Sequence, residues 1–158
     1  MMVLLWLLLL LYGIILVWVA TGVDRKHVAM DNGVGDDTVS VVVAAHNERN
    51  RIPLCLQALA KQDYPKYTVL IVDDHSTDGT GAWVQEFIKD RPDWHLLSAA
   101  PCQPWKSTKK AALQAAIEQA RGEWLLLTDA DCLPPPAWVR TMAGRFQDQT
   151  SLVAGFSP

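Results

Sequence analysis

Charge is missing from the start of this chain. Between Met1 and Val23 there is no Asp, Glu, Lys or Arg, while Leu, Ile, Val and Trp dominate. No basic residue precedes Leu4, and the apolar run is longer than a signal-peptide core, which argues against a cleaved leader. Cysteine is scarce. The three that occur, Cys55, Cys102 and Cys132, are odd in number and point to a reduced compartment rather than a disulfide framework. Their spacing excludes a structural zinc site, and His46, His75 and His95 lack metal-ligand spacing. There is no basic excess either: a net charge of −3 gives no electrostatic footprint for nucleic acid. No internal repeat or low-complexity tract is present.

What is there begins with the apolar run itself. Roughly 20 helical residues cross a hydrocarbon core of about 30 Å, so Met1–Val23 is expected to be one uncleaved transmembrane helix. Being apolar all round, it suits a membrane better than a core. Trp6, Tyr12 and Trp18 fit a lipid-exposed helix, the last two near interfaces. Arg25 and Lys26 follow directly, and the positive-inside rule then puts the remainder on the cytoplasmic side, at the cell membrane if the source is bacterial. Residues 24–38 are polar and rich in Gly and Asp, which reads as a linker.

From residue 39 onward two patterns alternate. VSVVVAA (39–45), TVLIV (68–72) and WLLLT (124–128) are continuous apolar runs, the mark of strands buried on both faces. Short strands are also expected over His95–Ser98 and Leu152–Phe156. Between them, apolar residues recur at helical spacing: Ile52, Leu56 and Leu59, with Pro53 allowed in a first turn; Val84, Phe87 and Ile88; Leu113, Ala116, Ile117 and Ala120, stopped by Gly122; and Trp138, Val139, Met142 and Phe146. The 158 residues make one domain. Strand–helix alternation with apolar strands predicts an α/β domain, a mainly parallel sheet covered by helices on both faces.

Ligands of such sheets bind beyond the carboxyl ends of the strands. The residues there are His46, Asn47, Glu48 and Arg49; then Asp73, Asp74, His75, Ser76, Thr77 and Asp78; then Asp129, Ala130 and Asp131. Carboxylates crowded together repel unless a cation or a hydrogen-bonding ligand sits among them. Asp-x-Asp at a strand end can aim oxygens at Mg2+ or Mn2+, which commonly bridge protein carboxylates to a diphosphate. Helix capping is the competing use for one of Ser76, Thr77 and Asp78, and a solvated turn before Pro134 competes at Asp129 and Asp131. Lys109 and Lys110 open a helix, where a cation is disfavoured unless it meets an anion such as phosphate.

In order and spacing, VSVVVAAHNER, TVLIVDDHSTDGT and KKAALQAAIEQARGEWLLLTDADCLPPPAWV resemble the opening strand and Asn-Glu loop, the Asp-Asp-x-Ser-x-Asp-Gly-Thr turn, and the Lys-bearing helix with Asp-x-Asp segment of family 2 glycosyltransferases. The resemblance covers residues 39–158. It implies a GT-A (Rossmann-like) fold and a hexosyltransferase-type enzyme that takes a sugar from a nucleotide diphosphate donor, with a glycan or lipid acceptor. It further implies that Ala45, Asn47, Glu48, Asp73, Asp74, Ser76, Lys109 and Asp129 line the nucleotide-sugar site. Glu48 and Asp73 would hold the base and ribose, Lys109 would lie near the nucleotide, and Asp129 with Asp131 would bind a divalent cation, Mg2+ or Mn2+. Asp131 is the direct ligand on this reading.

Gln114 stands where the family usually has Asn, and Ala116 where Gly is common. The family also has an acceptor half with a carboxylate base, and the sequence stops at Pro158, 27 residues beyond Asp131. The expectation is a truncated sequence that binds donor without turning over by itself, with its catalytic base beyond Pro158. A non-catalytic donor-binding fragment is thus one alternative. Another is a response-regulator-like receiver, whose acidic pocket VLIVDDHSTDG resembles, although a full strand and helix precede it and no Lys follows Asp131 at a later strand end. A dinucleotide-binding turn at Gly79-Thr-Gly81 lacks its third glycine, because position 84 is Val.

Overall fold

The computed structural model describes residues 6, 11–13, 37–99 and 108–146, with side chains from 113 onward in the last stretch. The expected membrane span lies outside the described residues except for Trp6 and Leu11–Gly13, which are helical. Among the described residues no helix is long and apolar enough to cross a membrane. Residues 24–36 of the expected linker, and the strand expected over Leu152–Phe156, lie outside them altogether.

The β-branched run Val39–Ala45 forms β1. It is followed by α1 (Ile52–Leu59), β2 (Tyr67–Asp73), α2 (Thr80–Ile88), β3 (Trp94–Ser98), α3 (Thr108–Gln119), β4 (Trp124–Asp129) and α4 (Trp138–Ala143). The strands pair in the order β3-β2-β1-β4, and every pairing is parallel. Lying between β2 and β4, β1 is covered on both faces. Val39, Val41, Val43 and Ala45 pack with Ile52, Leu56 and Leu59 of α1, Val84 and Ile88 of α2, and Val139 and Ala143 of α4. Val42 faces the other way, with Leu70 and Val72 against Ala116 of α3. Val41, Val42 and Val43 are fully buried, and each such side chain contributes about 1.5–3 kcal/mol of hydrophobic stabilisation.

Two helices differ from the sequence pattern. Ile117 is half exposed on α3, because the stripe that meets the sheet runs through Leu113, Ala116 and Ala120 and leaves Ile117 at its rim. α4 stops at Ala143. Phe146 leaves the helical path and stacks on Trp124, with ring centroids 4.1 Å apart and planes 4° from parallel.

The amino end of the sheet is tied by polar contacts. Tyr64 Oη donates to the Asp37 carbonyl at 2.7 Å, and Trp124 Nε1 donates to Asp37 Oδ2 at 3.1 Å. The Thr38 amide donates to Glu123 Oε2 and the Glu123 amide to Thr38 Oγ1, both at 3.2 Å. Asp37 and Thr38 are therefore fixed to the domain. At the opposite end the register places Ala45 beside Asp73, and Ala44 beside Asp129. The strand ends at His46, Asp73 and Asp129 thus lie along one edge, as the alternating pattern predicts.

Candidate functional site

Strand order reverses at β1: the chain moves outward to β2 and β3, then returns to place β4 on the other side. Such a reversal leaves a crevice at the carboxyl ends of the two diverging strands. A cavity of about 250 Å3 opens there, lined by Ala44, Ala45, His46, Glu48, Asp74, Asp129, Ala130 and Asp131. Of the residues expected to line the site, it gathers Ala45, Glu48, Asp74 and Asp129, together with the metal candidate Asp131.

The walls are built by hydrogen bonds between the loops after β1 and β2. The chain turns sharply at Asn47 (φ 55°) and His75 (φ 57°), both in the left-handed region that Asn and His tolerate better than most residues. The Asn47 amide donates to Ser76 Oγ at 2.9 Å, and the Thr77 amide donates to Asn47 Oδ1 at 2.8 Å. The Asp74 amide donates to the Ala45 carbonyl at 2.8 Å. His46 Nδ1–H donates to the Asp74 carbonyl at 2.5 Å, and His46 Nε2 accepts from Asn47 Nδ2 at 3.1 Å. Asn47 and Ser76 thus act on the cavity through the backbone they hold.

Neighbouring aspartates have different surroundings. Asp74 is buried and lines the cavity, with Oδ1 3.2 Å from His75 Nδ1. Asp73 takes the Ser76 amide on Oδ1 at 3.1 Å. Its Oδ2 lies so close over Gly81 that any Cβ there would collide with it. The Asp73 carboxylate therefore holds the turn into α2 through Oδ1, and Asp74 is the one of the pair that lines the cavity.

The helix cap expected among Ser76, Thr77 and Asp78 is not made: Gly79 stands at the N-cap of α2 with no side-chain bond, and Asp78, one residue earlier, braces the turn instead. Its Oδ1 accepts the Thr80 hydroxyl at 2.6 Å and the Thr80 amide at 3.0 Å, and its Oδ2 accepts the Arg49 amide at 3.0 Å. The Thr80 hydroxyl, with the two backbone amides, holds the Asp78 carboxyl below its ordinary range. Gly79 (φ 86°) makes the turn into α2, in a region that favours glycine. Thr80 is fully buried and also accepts the Glu48 amide on Oγ1 at 3.0 Å, which carries Glu48 to the cavity rim.

β4 delivers the acidic turn. The Asp129 carbonyl accepts the Cys132 amide at 3.2 Å and the Cys55 thiol at 3.6 Å. Burial beneath this turn, and then the charges of Cys132, Asp131 and Asp129, push the Cys55 thiol up to about 12. Asp129 and Asp131 are exposed at the cavity mouth. Among the described residues no group of three or more His, Cys, Asp or Glu side chains converges for a metal. Two carboxylates beside an open cavity suit a hard cation that keeps waters and shares itself with a ligand's phosphates, rather than an all-protein cage. Lys109 lies in the first turn of α3, but its side chain falls outside the described residues. Sequence reasoning missed Thr80, Gly81 and the cavity-lining place of His46; the signals were the position of His46 just after β1 and the Asp-Gly-Thr-Gly turn that opens α2.

Glycosyl transferase family 2 matches residues 40–158. Among curated relatives, the glycosyltransferase AglE of Haloferax volcanii is 35% identical over 103 residues, which is 64% of this chain and 33% of that protein. Among solved structures, the mannosyltransferase PcManGT from Pyrobaculum calidifontis, in complex with GDP-Man and Mn2+, superposes with a TM-score of 0.63 at 33% identity, over 72% of this chain and 33% of that one. TarS of S. aureus in complex with UDP-GlcNAc gives a TM-score of 0.57 at 29% identity, over 67% of this chain and 30% of that one. The chain spans about a third of the length of the relatives it matches.

Proposed function

The chain belongs to glycosyl transferase family 2, and from that premise we propose that it forms the donor-binding part of an enzyme that transfers a sugar from a nucleoside diphosphate sugar to a glycan or lipid acceptor. The observation that carries the reading is one cavity at the β1/β4 reversal with Glu48, Asp74, Asp129 and Asp131 around it. Asp74, with Glu48, hydrogen-bonds the base and ribose, since Asp74 rather than Asp73 lines the cavity. Asp129 and Asp131 hold a divalent cation, Mg2+ or Mn2+, which when bound neutralises charge on the departing diphosphate. Lys109 supports the diphosphate from the start of α3. Support comes from neighbours solved with GDP-Man and Mn2+ and with UDP-GlcNAc.

Titration calorimetry with UDP and GDP, with and without Mn2+, tests this. Asp131→Asn is expected to remove the Mn2+-dependent gain, because an amide is a poorer ligand for a hard cation. Asp74→Asn is expected to weaken binding with or without metal by about 10- to 100-fold, the loss of a hydrogen bond to a charged group. Asp73→Asn should act mainly on stability. Unchanged nucleotide affinity in both folded Asp131→Asn and Asp74→Asn would sink the assignment.

The same reading includes the membrane. Met1–Val23 is proposed as a single span, with the domain on the cytoplasmic side, where nucleotide sugars are supplied. Its composition supports this, as do the exposed apolar side chains of Trp6, Leu11 and Tyr12. Thiol labelling of Cys132 from outside intact cells would overturn the orientation.

A further inference from the structure

We propose that Gln62 is a positioning residue for the acidic turn that carries Asp129 and Asp131, a role toward the metal that rests on the donor-site reading above. Gln62 sits just past α1, where its amide donates to the Leu59 carbonyl at 3.2 Å. Its side chain is half-buried and makes three bonds to three separate places. Nε2 donates to the Pro135 carbonyl at 2.8 Å and to the Ala58 carbonyl at 3.2 Å. Oε1 accepts the Val139 amide at 2.9 Å. One primary amide therefore joins the end of α1, the proline segment after the acidic turn, and the first turn of α4.

The neighbours of Gln62 reinforce the joint. The Asp63 amide donates to the Pro136 carbonyl at 2.9 Å, and Arg140 Nε lies 3.1 Å from Asp63 Oδ2. α4 has no side-chain cap of its own, since Ala137 stands at its N-cap. Gln62 fills that place from 77 residues away. Prolines have no N–H and stiff φ angles, so Pro134–Pro136 can be held through their carbonyls and will pass an anchor at Pro135 back toward Asp131.

α1 also grips the other end of the turn, where Cys55 Sγ donates to the Asp129 carbonyl. Cys55 lies within α1, and Gln62 lies three residues beyond its last residue, Leu59. α1 thus anchors one side of the acidic turn and the segment that ends α1 anchors the other, at the Asp129 and Pro135 carbonyls. Like charges side by side repel, so their separation has to be set by the backbone that carries them.

The test uses the full chain, with Gln62→Ala beside Leu70→Ala. Leu70 is buried in the middle of β2 on the α3 face, so its truncation destabilises the domain without touching the turn. Below the melting temperature of all variants, amide exchange of Cys132 and Val139 should be at least about tenfold faster in Gln62→Ala than in Leu70→Ala. The Mn2+-dependent gain in UDP and GDP affinity should fall about 10- to 100-fold, as when groups that orient metal ligands are removed. Metal-free nucleotide affinity should stay within about twofold. Gln62→Ala that matches Leu70→Ala in exchange at both amides overturns the inference, and so does faster exchange with an undiminished Mn2+-dependent gain. If the unmodified chain shows no Mn2+-dependent gain at all, the donor-site reading falls, and the exchange comparison alone decides whether Gln62 holds the turn.

Discussion

A methyl group at position 122 would sit 2.5 Å from the Ser40 nitrogen and 2.7 Å from the Val39 carbonyl carbon. Both are backbone atoms of the central strand and cannot step aside, and the Gly122 amide also donates to Ser40 Oγ at 2.9 Å. Gly122→Ala is expected to cost about 1–3 kcal/mol, the usual penalty of overpacking, read as a lower urea midpoint with an unchanged slope. Cys55 yields a prediction with a defined sign. Its folded value of about 12 lies above the ordinary 9.0, so the folded state keeps a proton that the unfolded chain gives up. The stabilisation is complete below pH 9 and is lost as pH rises from 9 through 12. The loss is on the order of a few kcal/mol over that window. Urea midpoints measured from pH 8 to 10.5 should fall more steeply for the natural chain than for Cys55→Ala; parallel profiles would refute this.

Adjacent residues of β4 test the register of the element. Leu126 is 3% exposed on the face covered by α1, α2 and α4, while Leu127 is 53% exposed on the other. Leu126→Ala should cost about 2–5 kcal/mol, and Leu127→Ala should stay within the small range typical of surface changes. Costs exchanged between the two positions would mean the strand is slipped by one residue. At the start of α2, Thr80→Val keeps the shape but strands the Glu48 amide and removes a bond to Asp78. About 1–3 kcal/mol is expected, with weaker nucleotide binding because Glu48 loses its anchor. These elements were unevenly legible. Continuous apolar runs marked β1, β2 and β4 to within a residue, although only β1 and β2 are buried on both faces as such runs imply, and β4 leaves one face open at Leu127. The carboxyl end of α4 was not legible, because Phe146 stands at helical spacing from Met142 yet leaves the helix to stack on Trp124. The resemblance gave the base and ribose to Asp73, and the proposal for Asp74 comes from the turn geometry, in which Asp73 takes the Ser76 amide and Asp74 lines the cavity.

Across the molecule the two ends of the sheet have different duties. The amino ends carry the Asp37, Tyr64, Trp124 and Thr38–Glu123 contacts, and the carboxyl ends carry the acidic cavity. Seven residues of β1 at about 3.3 Å each put roughly 20 Å between them. Asp37→Ala should therefore lower stability by about 1 kcal/mol and leave nucleotide affinity unchanged, whereas Asp131→Asn should do the reverse. Mn2+ with a nucleoside diphosphate at 100 times its dissociation constant should add about 2.7 kcal/mol to the stability of the folded chain, visible as a higher melting temperature. The order β3-β2-β1-β4 could be read from sequence only through the family resemblance, because local pattern shows where strands are and not which pair.

That order also fixes a timetable for a chain emerging from the ribosome. β1, β2 and β3 are sequential neighbours and can pair as they appear, burying most of one face. β4 has to come back past all of them to the far side of β1, closing a loop measured by the 85-residue separation between Thr38 and Glu123. Contacts so far apart in sequence form late, because the entropy of closing the loop is spent before any contact offsets it. A nascent chain halted before residue 129 would therefore hold half a cavity, with Asp74 and Glu48 in place and no acidic turn opposite them. Competence to hold a cation with a nucleotide should arise in one step, when β4 docks, rather than grow with chain length.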